Sequence, residues 1–369
     1  MNDHDTRFLQ HAIALARKGA GLASPNPMVG CVIVRGGEIV GEGFHQYDLL
    51  DHAEIVALKS AGEKARGATM YVSLEPCNHK GRTGPCTEAI VKTGIAKVIV
   101  ATRDKNPNVT GAGLEKLRAA GIAAEVGPND IELDAQELNE AFFHWTATKK
   151  PFVTLKSALT LDGQLALPKQ GKGKSREWIS SEESRAEVQR MRHASDALLT
   201  GIGTILADDP QLTDRSGLPR RRRLLRVILD THLRLPAESH IVKAADGDLL
   251  VFTAASLKSP GARKLQSAGV ELMTAPSRGA QMNLQSVLKE LGRREILSVL
   301  LEAGPGLNGA ALSAKIVDKL FLFYAPVLAG RQTVPFVRGP VAMPRIRAVH
   351  YRERDFGGDF ALEAWLQNS

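Results

Sequence analysis

Cysteine, aromatic residues and long apolar runs are all scarce in this sequence. The chain has 369 residues and only three cysteines, which excludes a scaffold held together by disulfides and predicts a reducing compartment. Charges interrupt the first twenty positions, and no later segment approaches the roughly 20 apolar residues that a membrane-spanning helix needs. We therefore predict a soluble, cytoplasmic protein with no membrane partner.

Acidic residues are fewer than basic residues, and the formal net charge is +8. The densest basic cluster comprises residues 220–223 with Arg226. Such a cluster is typical of a nucleic-acid interface, but a surface loop after Pro219 produces the same run without a partner. Aromatic residues, which would stack on bases, make up only 5% of the chain, and this favours the loop. Phosphorylated metabolites and dinucleotides account for the positive excess equally well, so we expect no nucleic-acid partner.

The length of the chain exceeds that of a usual single core, so two domains are expected. The segment Lys149-Lys150-Pro151 interrupts the pattern, and we place the domains at residues 1–147 and 148–369. Both halves alternate helical and strand patterns, which predicts α/β folds. No residue string recurs between the halves, which argues against an internal repeat.

The hydrophobic pattern predicts the order of elements in each domain. The first is expected to contain a helix at 4–18, strands at 28–35 and 38–44 joined at Gly36-Gly37, a helix beginning near His52, a strand at 69–74, a helix at Cys86, a strand at 97–102, a helix at 111–120, a strand at 122–126 and a long helix at 130–146. The second is expected to contain a strand at 152–159, a helix near 181–194, strands at 197–200, 225–230, 249–253 and 297–301, and strands after Asp318.

The most informative motif is His52-Ala53-Glu54, followed by Pro76-Cys77 and Pro85-Cys86. One imidazole and two thiolates hold zinc through three protein bonds and leave the fourth tetrahedral position free for water. A proline before each cysteine suits the first turn of a helix, where the helix dipole stabilises a thiolate. We likewise expect His52 and Glu54 to lie in the first turn of a helix capped by Asp51.

Glu54 is the expected proton carrier of this motif. Zinc lowers the pKa of a bound water to about 7, and a nearby carboxylate can pass protons to a ring nitrogen and then to departing ammonia. The motif therefore predicts hydrolytic removal of an amino group from a heterocycle. One alternative is a structural zinc site with His79 as the fourth ligand, which leaves Glu54 unexplained. The other is three buried cysteines with no metal. Cys31 lies in an apolar strand pattern and is expected to be packed in the core.

A second motif follows the strand predicted at 297–301, where glycines occur as G-x-G-x-x-G over residues 304–309 before a helix expected at Ala310. Backbone amides at such a helix N-terminus can bind a pyrophosphate. The acid expected about twenty positions further on is missing, since Asp318 comes too early. The motif therefore fits an ordinary glycine-rich turn better than a Rossmann domain.

Motifs in both halves resemble, in the same order, those of the bifunctional deaminase and reductase family of riboflavin biosynthesis. They are residues 24–30, His52-Ala53-Glu54, residues 77–86, residues 156–163, residues 196–198 with 201–204 and 207–210, and residues 302–305. The resemblance covers essentially the whole chain. It implies an N-terminal α/β/α domain of the cytidine-deaminase type and a C-terminal α/β domain of the dihydrofolate-reductase type.

The resemblance implies two consecutive reactions. The first domain would use zinc to hydrolyse the 2-amino group of 2,5-diamino-6-(5-phosphoribosylamino)pyrimidin-4(3H)-one. The second would use NADPH to reduce the ribosyl chain and give 5-amino-6-(5-phosphoribitylamino)uracil. The sequence itself shows no obligatory side-chain acid for this step, and Asp208 and Glu302 are each able to serve. The resemblance also favours a homo-oligomer.

The resemblance assigns site residues by position as well. In the deaminase half, His52, Cys77 and Cys86 match the zinc ligands, Glu54 the catalytic proton carrier, and Asn26, His45, His79 and Arg82 the substrate contacts. In the reductase half, the cofactor positions are Ala158, Trp178, Thr204, Asp208, Gly304, Pro305, Gly306, Leu307, Asn308, Gly309 and Ala310. The substrate positions of that half are Ser175, Arg192, Leu212, Arg215 and Glu302. Amide and imidazole groups suit a pyrimidine edge, and arginines suit a phosphate.

Two rival hypotheses remain open at this point. A nucleic-acid deaminase with an unrelated C-terminal module predicts steep salt dependence of binding and aromatic side chains for base flipping. A zinc-stabilised RNA-binding protein predicts that Glu54→Gln leaves function intact.

Overall fold

The computed structural model describes residues 3–80, 84–106, 111–166, 179–279, 281–330, 333–339 and 345–367. The chain forms two compact units, the first comprising Met1–Thr148 with Pro219–Arg222 and the second Lys149–Leu218 with Arg223–Ser369. No helix within the described ranges combines the length and the apolar character needed to cross a bilayer.

The first unit packs helices on both faces of one sheet. Its helices are Asp3–Arg17 (α1), Ala53–Ala61 (α2), Cys86–Thr93 (α3), Ala112–Ala119 (α4), Asn129–Leu138 (α5) and Glu140–Thr148 (α6), with short 3-10 turns at Tyr47–Leu49 and Gly62–Ala65. Its strands are Gly30–Arg35 (β1), Glu38–Phe44 (β2), Thr69–Val72 (β3), Lys97–Val100 (β4) and Ala123–Val126 (β5). The strand order is β2-β1-β3-β4-β5.

Strand β1 shows how the sequence builds this three-layer unit. It runs antiparallel to both β2 and β3, whereas β3, β4 and β5 are parallel. Its side chains alternate between two apolar clusters, because successive residues of a strand point to opposite faces. Cys31 and Ile33 pack with residues of α2 and α4, while Val32 and Val34 pack with residues of α1 and α5. Cys31 is fully buried, which confirms the prediction that it is a core residue.

The long helix predicted at 130–146 is wrong, because the chain breaks at Asn139 into α5 and α6. The Asn139 side chain accepts a hydrogen bond from the Met28 amide at 2.8 Å and donates one to the Met28 carbonyl at 2.9 Å. An asparagine that bonds with a distant backbone segment in this way competes with continued helix formation. The break therefore fixes the segment before β1 to the end of α5.

The second unit is built around a nine-stranded sheet. Its helices are Glu182–Ala194 (α7), Ile202–Asp208 (α8), His240–Lys243 (α9), Pro260–Ser267 (α10), Leu284–Arg293 (α11) and Pro305–Ser313 (α12). Its strands are Phe152–Thr160 (β6), Gln164–Ala166 (β7), Ala197–Gly201 (β8), Leu225–Leu229 (β9), Leu249–Thr253 (β10), Glu271–Thr274 (β11), Ser277–Arg278 (β12), Gln281–Met282 (β13), Ser298–Leu301 (β14), Lys319–Ala325 (β15), Val334–Pro335 (β16), Ala348–Phe356 (β17) and Asp359–Leu366 (β18).

The order of the large sheet is β11-β10-β9-β8-β14-β6-β15-β18-β17. The first seven strands of this order are mutually parallel, and the C-terminal pair β18 and β17 is antiparallel. The carboxyl ends of the parallel strands β9, β8, β14 and β6 therefore meet at one edge of the sheet. In open α/β sheets this edge is the usual place for a ligand.

Candidate active sites

His52, Cys77 and Cys86 converge in the first unit although they are distant in sequence. The Nδ1 atom of His52 lies 3.5 Å from the Cys77 sulfur and 3.3 Å from the Cys86 sulfur. All three ligand atoms lie within 4.8 Å of one another, and no other such group was found among the described residues. The structure thus assembles the three side chains that were predicted to bind metal.

Two helix N-termini position these side chains. His52 is the N-cap residue of α2, with an extended backbone, and Cys86 is the first residue of α3 after Pro85. The prediction that Asp51 caps α2 is wrong, since no side chain caps this helix and the Asp51 carboxylate pairs with Lys59 at 2.5 Å.

Cys77 does not open a helix, so that prediction also needs correction. It lies in the loop after β3, where its sulfur accepts a hydrogen bond from the Cys86 backbone amide at 3.4 Å. The amide is the first of α3, so the dipole of this helix still acts on the Cys77 sulfur.

The electrostatics of the cluster favour a thiolate at Cys77. A hydrogen bond between the two sulfurs is the main cause that lowers the pKa of Cys77 to about 4 and raises the pKa of Cys86. The hydrogen bond to Cys77 likewise raises the pKa of His52. One imidazole and two sulfurs that can exchange their protons for a cation are the donor set of a catalytic zinc site, so these residues fit zinc.

Glu54 lies beside this cluster in the first turn of α2 and is only 3% exposed. Burial is the largest cause that raises its pKa to about 7, followed by the charge of Cys77. A carboxyl group whose pKa lies near neutrality can both accept and release a proton. The structure therefore places a carboxyl group suited to proton transfer beside the three side chains that were predicted to bind metal.

Within the described residues, the structure brings together two of the four predicted substrate contacts of the first unit. Asn26 and His45 meet, with the Asn26 amide nitrogen 3.0 Å from His45 Nε2. His45 is 3% exposed, its Nδ1 lies 2.9 Å from the Asp51 carbonyl, and its ring makes an edge contact with that of His52. His79 is exposed on the loop after Cys77, and Arg82 lies outside the described residues.

A cleft of about 1170 Å³ opens at the carboxyl edge of the sheet in the second unit. Its volume is large enough for a dinucleotide cofactor together with a small substrate. The predicted positions on its wall are Ala158, Thr204, Asp208, Leu212, Glu302, Gly304, Pro305, Gly306, Leu307 and Ala310. Trp178 and Ser175 lie outside the described residues.

The glycine-rich segment starts a helix earlier than expected, because α12 begins at Pro305 and not at Ala310. Pro is favoured in the first turn of a helix, where its missing N–H costs nothing. A Cβ atom at Gly304 or Gly306 would meet no atom within 4 Å, whereas one at Gly309 would lie 2.4 Å from the Arg338 carbonyl oxygen. The first two glycines therefore keep the cleft wall open, and this cradle fits a pyrophosphate.

Asn308 does not face the cleft. It is fully buried, and its amide donates to the Phe336 carbonyl at 2.9 Å. With Gly309, it packs α12 against residues 336–338. Asn308 and Gly309, both predicted as cofactor positions, therefore support the glycine-rich segment by packing and do not line the cleft.

A cluster of largely buried charged side chains lies at one end of the cleft, on β6 and directly after β14. Arg192 makes a two-pronged ion pair with Glu302, with nitrogen to oxygen distances of 2.7 and 3.0 Å, and Lys156 lies 4.0 Å from Glu302. Burial alone would raise the pKa of Glu302, but the charges of Arg192 and Lys156 outweigh it and hold that pKa below its usual value. Burial lowers the pKa of Lys156. Lys156 was missed by sequence reasoning, although it begins the motif at 156–163.

The loop that carries Leu212 and Arg215 is held by helix α7. The Gln189 side chain accepts from the Arg215 amide at 2.9 Å, and Arg192 donates to the Thr213 carbonyl at 3.1 Å. His193 and Asp214 form a buried pair at 3.0 Å. These contacts were also missed, because no sequence signal joins α7 to a loop about twenty residues further on.

Comparison with known proteins agrees with both units. Residues 2–102 match the family model of the cytidine and deoxycytidylate deaminase zinc-binding region, and residues 151–357 match that of the RibD C-terminal domain. The riboflavin biosynthesis protein RibD of Aquifex aeolicus is 41% identical over 326 residues, which cover 88% of each chain. RibD of Escherichia coli K12 is 39% identical over 337 residues, covering 88% of this chain and 89% of that protein.

Solved structures give the same result over the full length. Form 1 of Acinetobacter baumannii RibD is 36% identical, with a TM-score of 0.82 and 99% of each chain covered. The Thermotoga maritima diaminohydroxyphosphoribosylaminopyrimidine deaminase/5-amino-6-(5-phosphoribosylamino)uracil reductase is 36% identical, with a TM-score of 0.79 and 98% of each chain covered. These matches confirm the predicted fold class and the predicted zinc and NADPH cofactors. The chain therefore belongs to the RibD family of riboflavin biosynthesis, whose members join a zinc-dependent deaminase to an NADPH-dependent reductase.

Proposed function

We propose that residues 1–147 and 148–369 divide the two reactions between them. The first domain removes the 2-amino group of 2,5-diamino-6-(5-phosphoribosylamino)pyrimidin-4(3H)-one as ammonia. The second reduces the ribosyl chain of the product to give 5-amino-6-(5-phosphoribitylamino)uracil. The observation that carries the first assignment is the convergence of His52, Cys77 and Cys86 beside the buried Glu54.

In the deaminase domain, His52, Cys77 and Cys86 hold zinc, which when bound supplies the Lewis acidity that makes water a nucleophile near neutral pH. Glu54 accepts a proton from the attacking water and delivers it to the ring nitrogen. It then takes the second proton from the hydroxyl group now bonded to C2 and gives it to the departing amino group, so that the carbon to nitrogen bond breaks, a carbonyl forms and ammonia leaves.

Asn26 recognises the pyrimidine edge in this proposal, and His45 orients it. Because His45 Nδ1 faces the Asp51 carbonyl, this nitrogen carries the proton and Nε2 accepts from the Asn26 amide. The role of His45 is then to fix the amide rather than to donate to substrate. His79 and Arg82 follow Cys77 in sequence and are proposed to contact the phosphorylated ribose.

In the reductase domain, the first turn of α12 binds the pyrophosphate of NADPH, and Ala158, Trp178, Thr204 and Asp208 complete the cofactor site. NADPH supplies the hydride when bound. Glu302 is a poor proton donor, because the neighbouring cations keep its pKa low. Lys156, buried at the same end of the cleft, is better placed to donate.

Arg215, Leu212 and Ser175 are proposed to hold the substrate of the reductase domain. The Arg215 side chain is exposed near Glu302 and suits the phosphate. Arg192 is engaged with Glu302 and the Thr213 carbonyl, so we assign it the task of holding Glu302 and the substrate loop in position.

Zinc removal tests the first half of the proposal. Dialysis against a chelator is expected to abolish ammonia release while NADPH oxidation, measured with the deaminated substrate, stays within about twofold. Re-addition of zinc should restore ammonia release, because the three ligands are supplied by the protein alone. Full deaminase activity in enzyme shown to be free of metal would refute the assignment.

Gly306→Ala tests the cofactor cradle. The added methyl meets no protein atom within 4 Å, so the melting temperature should stay unchanged. It would enter the space assigned to the pyrophosphate, and we expect the Kd for NADPH to rise by at least about tenfold, which corresponds to about 1.4 kcal/mol. Calorimetric titration measures this constant, and Ala at the exposed, unconstrained position Gly261 is the matched control. An unchanged Kd would place the pyrophosphate elsewhere.

We also propose that the enzyme acts in the cytoplasm as a homo-oligomer. Cys31, Cys77 and Cys86 form no disulfide with one another, which supports a reducing compartment. The edge strand β17 exposes Val349 and Tyr351, each 64% accessible, and an exposed apolar edge is a common site of association. Light scattering on the eluting protein tests the oligomeric state, and a monomer at micromolar concentration would contradict it.

A further inference from the structure

Glu75 is a buried carboxylate that the reaction chemistry does not use. It lies two residues before Cys77 and is 4% exposed. Its carboxylate accepts four backbone hydrogen bonds, from the amides of Asp104 at 3.3 Å, Gly111 at 3.0 Å, Gly113 at 2.9 Å and Leu114 at 3.1 Å. A carboxylate has about four acceptor sites in its two oxygens, so this group is fully satisfied by the backbone.

The four donors come from two separate segments. Asp104 follows β4, and Gly111, Gly113 and Leu114 form the beginning of α4, where backbone amides have no partner within the helix. The Glu75 backbone amide also donates to the Thr102 carbonyl at 3.0 Å. Glu75 therefore joins the loop that carries Cys77 to the end of β4 and to the start of α4.

The backbone of residues 75 and 76 packs so closely against α4 that no side chain fits at position 113. A Cβ atom at Gly113 would lie 2.2 Å from the Pro76 carbonyl oxygen and 3.2 Å from Glu75 Cγ. The first turn of α4 thus lies directly on the backbone of residues 75 and 76. Cys77 is the next residue of the chain, so its position depends on this contact.

The other ligands have nearer supports of their own. His52 and Cys86 are held at the N-termini of α2 and α3, whereas Cys77 lies in a loop without regular structure. Apart from its contacts with the other two predicted ligands, the supports of the Cys77 segment include a bond from the Thr87 amide to the Cys77 carbonyl, a bond from the Thr87 hydroxyl to the Asn78 side chain, and the Glu75 anchor. Glu75 is the one carboxylate among these supports.

We propose that Glu75 is a positioning residue of the deaminase, which acts through Cys77 by fixing this ligand on the start of α4. This inference rests on the proposed role of Cys77 as a zinc ligand. Partners that orient metal ligands in this way typically contribute about 10- to 100-fold to metal affinity or activity. Loss of the anchor therefore weakens zinc binding in the first domain and leaves the reductase reaction untouched.

The test compares Glu75→Gln with Glu115→Gln in the full-length enzyme. The substitution at Glu75 puts an amide NH₂ against two backbone donors, whereas Glu115 is an exposed carboxylate one residue beyond the anchored turn. For Glu75→Gln we expect zinc release to a chelator to be at least about 10-fold faster and the deaminase kcat to fall about 10- to 100-fold. The KM for the pyrimidine should change less than twofold, and NADPH oxidation by the same preparation should be normal.

Zinc release and kcat equal to those of Glu115→Gln would overturn the proposal. Gly113→Ala is the second variant, because its methyl group displaces Pro76 while the carboxylate remains, and it should accelerate zinc release in the same way. If both variants hold zinc as the control does, Glu75 does not position Cys77.

Cys77→Ser separates this result from the assignment of the ligand itself. If Cys77→Ser loses zinc but both anchor variants retain it, only the positioning role fails. If Cys77→Ser retains zinc and deaminase activity, the proposed function of Cys77 fails first.

Discussion

Glu54→Gln is expected to reduce the deaminase kcat by about 10²- to 10⁴-fold, which is the usual contribution of a general acid and base. The amide keeps the size of the side chain but cannot accept the proton of water or return it to the leaving amino group. Because Glu54 is not one of the three ligands, zinc content should remain at one ion per chain. Ammonia release at saturating substrate, together with metal analysis of the same sample, measures both quantities.

The matched control for this prediction is Glu63→Gln, an exposed glutamate in the same unit. It should release ammonia at the normal rate. NADPH oxidation by Glu54→Gln, assayed with the deaminated intermediate, should also be normal. A Glu54→Gln enzyme that retains more than about a tenth of its activity would rule out Glu54 as the proton carrier.

Glu302→Gln is expected to have a comparable effect on the other reaction. Removal of one partner from a buried ion pair costs about 3–5 kcal/mol, and here it leaves both Arg192 and Lys156 without their counter-charge. If that cost appears in the transition state, the reductase kcat/KM falls by about 10²- to 10⁴-fold. NADPH oxidation monitored with the deaminated substrate measures this constant, while ammonia release should stay within about twofold.

Glu238→Gln is the control for Glu302→Gln, because Glu238 also pairs with a cation, Lys264, but at the surface. Exposed pairs of this kind contribute about 0–1 kcal/mol, so reductase activity should be unchanged. Equal activity in the two variants would show that the buried pair does not belong to the reductase site.

The parts of the structure that were predictable depend on neighbouring residues. The turn at Gly36-Gly37 is an example, because both residues have positive φ values of 61° and 87°, which glycine adopts at little cost. Strand β2 begins and ends where its pattern predicts. The zinc motif was equally accessible, because ligand type and the adjacent glutamate already specify the chemistry.

The parts that were not predictable depend on contacts between distant residues. The helix break at Asn139 follows from hydrogen bonds with Met28, 111 positions away, and no local sequence pattern predicts it. The partnership of Arg192 with Glu302 spans 110 positions, so the sequence alone suggested a phosphate ligand. Glu75 passed unnoticed for the same reason, since its donors are 29 to 39 residues further along the chain.

His52, the proposed zinc ligand, and Glu54, the proposed proton carrier, share one turn of helix α2, whereas the two sulfurs lie 25 and 34 residues from His52 in sequence. The relative position of the imidazole and the carboxylate is therefore set within one helical turn, and small shifts of the surrounding layers do not change it. The relation to the sulfurs is not local, and for Cys77 it depends on a loop, a kind of segment that often opens locally before a whole unit unfolds. On gradual heating, metal release should consequently precede the loss of helical circular dichroism, so inactivation of the deaminase begins as a demetallation and only later becomes unfolding.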